Sequence, residues 1–369
     1  MLEIDRKQVM AYRMVAHQLD RDCANEPALS VLDLGVQDPR PGTALSALAA
    51  RLPNQPTGAG LVATWTFRGA PHLHRKSDLR ALNAELWPLD DTDAAARLGN
   101  SCAQLTKAEM PALQAIRDTA TAWRETDDGS VRTKGEISGA VTGRLPDDYS
   151  GWCRGCGSTH VLEQLLRLAG LAAGAVIAEQ GPPVAFGMQS RWPGPPKTAK
   201  GTGRLLEAYL RLHGPATAAE AAGYLGTTAA ATAAEWPDGL AEVQVGRRRS
   251  YLPESEIETL RSAPAPRLVR LLPPYDPFLQ ARDRLTLVAE KARHKEVWRI
   301  LGNPGALLVD GEVAGVWRAK AGKSRLTVTV SPFQPIAAGR RKEVAAEAER
   351  VAAVRGATAV EVTYAAPLG

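Results

Sequence analysis

The segment TFRGAPHLHRK gathers side chains able to touch an anion or move a proton: His72 and His74, with Arg68 before them and Arg75 and Lys76 behind. Residues two apart in a strand point to one face, so the imidazoles form a pair that can meet a flipped base, a phosphate or a metal. Two histidines simply exposed on a hairpin is the plainer alternative. We expect nucleic-acid contacts from His72, His74, Arg68, Arg75 and Lys76. WCRGCGSTH sets Cys153, Cys156 and His160 at spacings a zinc site uses, but zinc asks for four ligands and no matching second half follows. The expectation is no metal and no cofactor, with a turn of half-buried thiols leading into a helix. Gln37, Asp38 and Pro39 lie between the apolar run VLDLGV and the helix carrying LSALAARL. By local rules an Asp directly before a Pro is an ordinary helix start.

The elements that must hold these residues fall into four parts. The first runs from a helix over 5–20, through a helix ending LSALAARL, to strands around LVATWTF and HLH, a winged-helix outline. The second has a long helix ending TATAWRE, a short helix opened by Thr133 and Glu136 at capping-box spacing, another at HVLEQLLRLAGLA, and a strand at GAVIAEQG. A Pro/Gly-rich linker, RWPGPPKTAKGTG, closes it. The third reads as helix, helix-turn-helix and wing, with Arg247, Arg248 and Arg249 at the wing's turn. Helix-turn-helix units place a helix in the major groove, although winged helices also serve as protein-binding or structural modules. From about residue 265 the period becomes that of strands, with Asp310 and Gly311 at a tight turn and Lys320, Lys323 and Arg325 around another. The sequence therefore predicts an α+β chain: three tandem winged helices over 1–90, 91–192 and 193–264, then a small antiparallel β-barrel over 265–369.

The composition agrees with several folded units. The chain has 369 residues, 44% of them hydrophobic and 23% charged, which excludes both a single small domain and general disorder. Its net charge of +5 tolerates a polyanionic partner without demonstrating one. The chain shows no run of eighteen apolar residues, and charges interrupt the first thirty residues. Four cysteines are too few for a disulfide framework. A cytoplasmic monomer without a membrane partner is expected. Walker, HExxH, GxSxG and dinucleotide motifs are missing, so nucleotide hydrolysis, zinc proteolysis and serine hydrolysis lack support.

Six segments, VLDLGVQDPRPGTALSALAARL, TWTFRGAPHLHR, RTKGEISGAVTGRLP, RLHGPATAAEAAGYLG, LLPPYDPFLQARDR and LLVDGEVAGVWR, together resemble the winged-helix DNA-binding-domain family of AlkZ-like and YcaQ-like bacterial DNA glycosylases. They occur in the family's order and span most of the chain. The resemblance implies winged helices and a barrel around duplex DNA, and hydrolysis of the N-glycosidic bond of alkylated purines. Such substrates include adducts of DNA-alkylating natural products and interstrand crosslinks, which would make the protein a repair or self-resistance enzyme. The family's Gln-aliphatic-Gln or Gln-x-Asp motif puts Gln37 at the first position. Pro39 stands at the second, a departure, because proline neither orients water nor accepts a proton. The resemblance thus assigns Gln37 to orienting water and Asp38 to acting as base or electrostatic stabiliser. It also brings Asp283 and Arg284 forward as a charged pair, for a salt bridge or a phosphate, and Trp317 and Arg318 as residues near DNA, with core packing equally open for Trp317.

Two other classes compete. A non-catalytic winged-helix DNA-binding protein or transcriptional regulator would bind undamaged DNA without releasing a base, although the chain shows no dimerisation heptads. A structural or protein-interaction module would show no salt-dependent DNA binding.

Overall fold

The computed structural model describes residues 2–368. Its regular elements arise where the local chemistry points. Asp5 accepts from the Gln8 backbone at 2.8 Å and starts the helix Arg6–Ala16. Thr133 and Glu136 form the reciprocal capping box that opens Lys134–Thr142, and Thr217 with Glu220 does the same for Ala218–Leu225. Asp310 and Gly311 turn strand Gly305–Val309 into Glu312–Ala321.

The first two parts share one sheet. Its strand order is Val36–Gln37, Pro71–Arg75, Leu61–Trp65, Ala175–Glu179, Ala185–Met188 and Arg132–Thr133, joined between the parts where Ala63 meets Ile177. Beneath this junction Trp65, Trp123 and Phe186 pack edge to face, with ring centroids 4.6–6.0 Å apart. A second crossing ties the chain start to the third part. Strand Leu2–Ile4 adds in parallel to Leu240–Val245, itself the hairpin partner of Arg248–Pro253, and helix Arg6–Ala16 packs on Gly203–His213 and Ile257–Ser262. The division expected at residue 90 is thus crossed by both sheets.

The C-terminal part corrects the expected barrel. Its five strands, Val269–Leu272, Gly305–Val309, Glu312–Ala321, Arg325–Pro332 and Ala359–Tyr364, form an open sheet whose first and last strands are edges. The last pairs in parallel with its neighbour because the 17-residue helix Ala338–Val354 carries the chain back across the sheet before the strand begins. The edges Val269–Leu272 and Ala359–Tyr364 do not pair with each other, so the sheet stays open. The helix instead lays Val344, Ala348, Val351 and Ala352 over Val269, Leu271 and Val328, which makes a half-barrel with a helical filling.

That helix also steadies the first part. Arg350 donates to the carbonyls of Ala49 and Leu52, at 3.1 and 2.6 Å, capping the C-terminal end of helix Thr43–Ala49. Arg51, two residues past Ala49, makes a bidentate pair with Asp276 at 2.7 and 2.9 Å, both side chains fully buried. The far end of the short helix that leads from Asp38 is therefore fixed from two directions.

Candidate active site

Strand Val36–Gln37 pairs with Pro71–Arg75, Gln37 lying opposite His72, and the next N–H, that of Asp38, donates to the Pro71 carbonyl at 2.9 Å. The chain then turns through Pro39, Arg40 and Pro41 into helix Thr43–Ala49. Oδ1 of Asp38 reaches forward to accept the Ala44 N–H at 2.9 Å, so the residue caps the helix from six positions upstream. The helix does not start at Asp38-Pro39 as local rules suggest: its N-cap is Gly42, and Asp38 only supplies an acceptor to its first turn. Gln180, from the turn after strand Ala175–Glu179, donates its amide to the Asp38 carbonyl and lies, with the Thr43 N–H, beside the carboxylate.

Asp38 is 6% exposed. Burial pushes its carboxyl above the ordinary value, and the donors at Ala44, Gln180 and Thr43 only partly offset this. Around it opens a cavity of about 400 Å³ at the junction of the first two parts, walled by Trp65, Pro71, Ile177 and Val184 and rimmed by Arg40, Arg167 and Gln180. The Arg167 guanidinium lies 4.8 Å from the Trp65 ring centroid and donates to the Gly69 carbonyl at 3.0 Å. Gln37, half-buried, sits beside this lining rather than in it.

A second groove of about 260 Å³ shares Arg40 and Pro41 with the first and continues toward the half-barrel, where Arg318 and Arg355 line it. Among the described residues no carboxylate pairs with Arg40, Arg318 or Arg355. Desolvation and the neighbouring Arg40 charge push the Arg355 guanidinium down, a repulsion that an anion between them would relieve.

Several expected DNA contacts are instead structural. His72 and His74 are 2% and 0% exposed, joined through Thr66 Oγ1 at 2.9 and 3.1 Å. The strand does put them on one face, but that face is the core. Gly35, with φ +74°, lies so close to His74 that an added Cβ would come 2.2 Å from the ring. Burial drives His72 well below its usual range and His74 to about 3, so both stay neutral. Arg68 is spent on the Tyr224 carbonyl and ring. Arg75 binds Asp33 at 2.7 Å, Asp78 at 3.1 Å and the Leu29 carbonyl at 2.9 Å. Arg248 binds Glu220, Asp283 and the Pro215 carbonyl. Arg249 is exposed but paired with Glu242.

Lys76, Arg247, Arg318, Lys320 and Lys323 are exposed. Arg284 is exposed too and stacks 4.9 Å from the Trp298 ring. Asp283 resolves as a salt bridge, bidentate to the fully buried Arg13 at 3.0 and 2.7 Å. Trp317 packs in the core and donates to the Leu272 carbonyl at 2.8 Å. Cys153, Cys156 and His160 converge on an exposed hairpin.

The reading of the sequence missed Gln180, Arg40, Arg167 and Arg355. Arg40 stood two residues beyond Asp38 and was discoverable there. The others arrive through sheet pairing and helix packing, which no local pattern announces.

A sequence model described as DNA glycosylase AlkZ-like matches residues 13–354. Among solved structures, the Streptomyces sahachiroi DNA glycosylase AlkZ superposes with a TM-score of 0.74 at 21% identity, over 99% of this chain and 100% of that one. No curated protein sequence matches. No helix among the described residues is long and apolar enough to cross a membrane.

Proposed function

The chain belongs to the AlkZ-like DNA glycosylase family, and from that premise we propose that it hydrolyses the N-glycosidic bond of an alkylated purine in duplex DNA, with Asp38 acting at the reacting sugar. The observation that carries this is Asp38 itself: a carboxylate in a cavity, without a cationic partner, tied through Ala44 to the start of a helix fixed at its other end. An N7- or N3-alkylated purine is already cationic and leaves without protonation. What remains is to hold a water against C1′ and to stabilise an oxocarbenium-like sugar, work for a positioned carboxylate and an amide. Oδ2 of Asp38 takes the water's proton or faces the developing positive charge. Gln180 donates from its amide NH2 to the Asp38 backbone and carboxylate, and its carbonyl oxygen is left to orient the water, supplying from the second part an amide that Pro39 cannot. Gln37, the family's first-position residue, supports this arrangement from the adjoining strand.

The surrounding surface suits the same substrate. Arg40, Arg318 and Arg355 line one groove without a carboxylate partner, Arg318 donating to the Gly302 carbonyl at 2.8 Å and Arg355 lying over the Trp317 ring, and such guanidinium groups have donors left to hold phosphates. Lys320 and Lys323 extend from the half-barrel hairpin. Ile300 and Leu301, fully exposed just before the groove residue Asn303, supply an apolar wedge for the gap left by a flipped nucleotide. Three winged-helix units and a purine adduct as substrate are part of this proposal.

The test is release of free base from duplex oligonucleotides carrying an N7-alkylguanine, with Asp38→Asn, Gln37→Ala and Gln180→Ala beside the wild type. Loss of release in Asp38→Asn with binding retained supports the assignment, and release at the wild-type rate in all three variants overturns it. Pro39 favours a second reading, a DNA-binding protein without catalysis. Tight binding by the wild type without base release from any adduct would establish it.

A further inference from the structure

Within the second part, helix Lys134–Thr142 and helix Glu163–Ala173 are separated by a two-stranded hairpin, Ser150–Cys153 and Ser158–Val161. A helix-turn-helix normally joins its helices through three or four residues, so this hairpin is an insertion. Its turn contains Cys153 and Cys156, and His160 lies on the returning strand. Their ligand atoms all fall within 4.8 Å of one another. Two sulfurs and an imidazole nitrogen bound tetrahedrally at about 2.3 and 2.0 Å stand roughly 3.5–3.8 Å apart, so small side-chain rotations complete the set.

Two further observations point to a metal. Nδ1 of His160 lies 2.8 Å from the Val161 carbonyl, the backbone bond that fixes a metal-binding imidazole in the tautomer with its lone pair on Nε2. The turn is built as a knuckle: Gly157, with φ +62°, returns its N–H to the Cys153 carbonyl at 2.9 Å, which brings the second sulfur round to the first. A redox pair would need neither the imidazole nor its orientation.

We propose that Cys153, Cys156 and His160 bind one zinc ion, with water in the fourth position. Two thiolates and a neutral imidazole form a set that zinc accepts readily, and the thiolates cancel the ion's charge. Glu163, the nearest carboxylate by sequence, is held by Lys134 at 2.6 Å and Arg167 at 2.7 Å, which leaves the fourth site to solvent. The ion clamps an exposed tip carrying Arg154 and Trp152, the latter 67% exposed. It does so beside the residue through which Arg167 is tied at the Asp38 cavity.

Full-length protein, expressed with zinc and desalted under reducing conditions, should retain about one equivalent of metal per chain by elemental analysis. Cobalt(II) substitution should give thiolate-to-metal charge transfer and the strong visible bands of a tetrahedral site. Cys153→Ser with Cys156→Ser should abolish both while the circular dichroism of the rest is kept, and His160→Ala should weaken the cobalt spectrum. Less than about a tenth of an equivalent in reduced wild type overturns the proposal. So does metal retained by the double variant, or a quantitative Cys153–Cys156 disulfide in protein purified with zinc.

Discussion

The molecule buries aspartates in two ways. At the interface of the first, third and C-terminal parts, Asp276 and Asp283 each receive a bidentate arginine, Arg51 and Arg13, whose side chains are fully buried. Burial pushes the Asp283 carboxyl up, but the Arg13 charge and hydrogen bonds, with Arg248 added, outweigh it and hold the group below the ordinary range. Asp38, at the junction of the first two parts, receives only backbone and amide donors, and burial wins. The same residue type is inert in one setting and basic in the other. The difference is a cation at contact distance, and it separates a structural aspartate from one with chemistry left to do.

The sharpest way to break this comparison is Asp38→Asn. Asparagine also caps helices, so folding stability should hold within about 0.5 kcal/mol, while base release should fall on the order of 10²–10⁴-fold, the usual worth of a positioned base. In the wild type, release requires the carboxylate, so activity should rise with pH through an apparent value above the ordinary 3.8. The variant should lose that limb. An unchanged acid limb in Asp38→Asn would assign the titration elsewhere.

Asp276→Ala should act first on stability, which drops by about 3–5 kcal/mol because Arg51 stays buried without a partner, and should lower activity per folded molecule far less than Asp38→Asn, because Arg350 still holds the end of helix Thr43–Ala49. Arg51→Met combined with Asp276→Leu should recover most of this. It should not recover the roughly 1 kcal/mol of the cap that Asp276 Oδ1 gives the Phe278 N–H at 2.9 Å. Denaturant titrations of the three proteins decide it, and a double variant as unstable as the single one would contradict a simple unpaired-charge account.

The two aspartate settings were unequally legible in the sequence. Capping boxes at Thr133 and Thr217, the hairpin at Asp310 and the strand pair around His72 follow from local chemistry, and the structure contains them. The alternation that put His72 and His74 on one face was sound. Whether that face met solvent or core depended on Phe67, from the same hairpin, lying against His72 and being backed by Tyr224 of the third part, which spacing does not encode. Arginine was misread for a related reason. Arg68, Arg75 and Arg248 sit at hairpins where exposed charge is expected, yet each is spent on a carbonyl or carboxylate far along the chain, Arg68 and Arg248 across a unit boundary. Asp38 was reachable only through the family resemblance, because local rules make an Asp before a Pro no more than a helix start. Its amide partner, Gln180, is 142 positions away.

A smaller effect tests the buried interface through its histidines. His17 and His213, with ring centroids 5.1 Å apart, are buried like His72 and His74, and burial lowers all four, His74 and His213 to about 3. Folded-state values below the unfolded 6.5 mean that the unfolded chain takes up protons first as pH falls. The stabilisation is therefore complete above 6.5 and is lost between there and about 3, at about 1.4 kcal/mol per pH unit per histidine. His213→Gln should reduce the slope of unfolding free energy against pH by about one proton across that window. A slope equal to wild type would show that His213 is protonated in the folded protein.

The smallest effect divides the arginines themselves. If Arg40 and Arg355 face phosphates while Arg248 holds Asp283 and Glu220, then Arg40→Gln and Arg355→Gln should each weaken binding to undamaged duplex and shallow the plot of log affinity against log salt by about 0.9 per lost contact. Their unfolding midpoints should stay near that of the wild type. Arg248→Gln should leave the salt slope alone and lower the midpoint, because it strips a partner from a carboxylate buried with Arg13. The two readouts are independent, so each residue sorts by which one moves. A salt slope shallowed by Arg248→Gln as much as by Arg40→Gln would mean that the wing releases its internal pairs to grip DNA, and the separation between structural and phosphate-facing arginines would have to be redrawn as a switch.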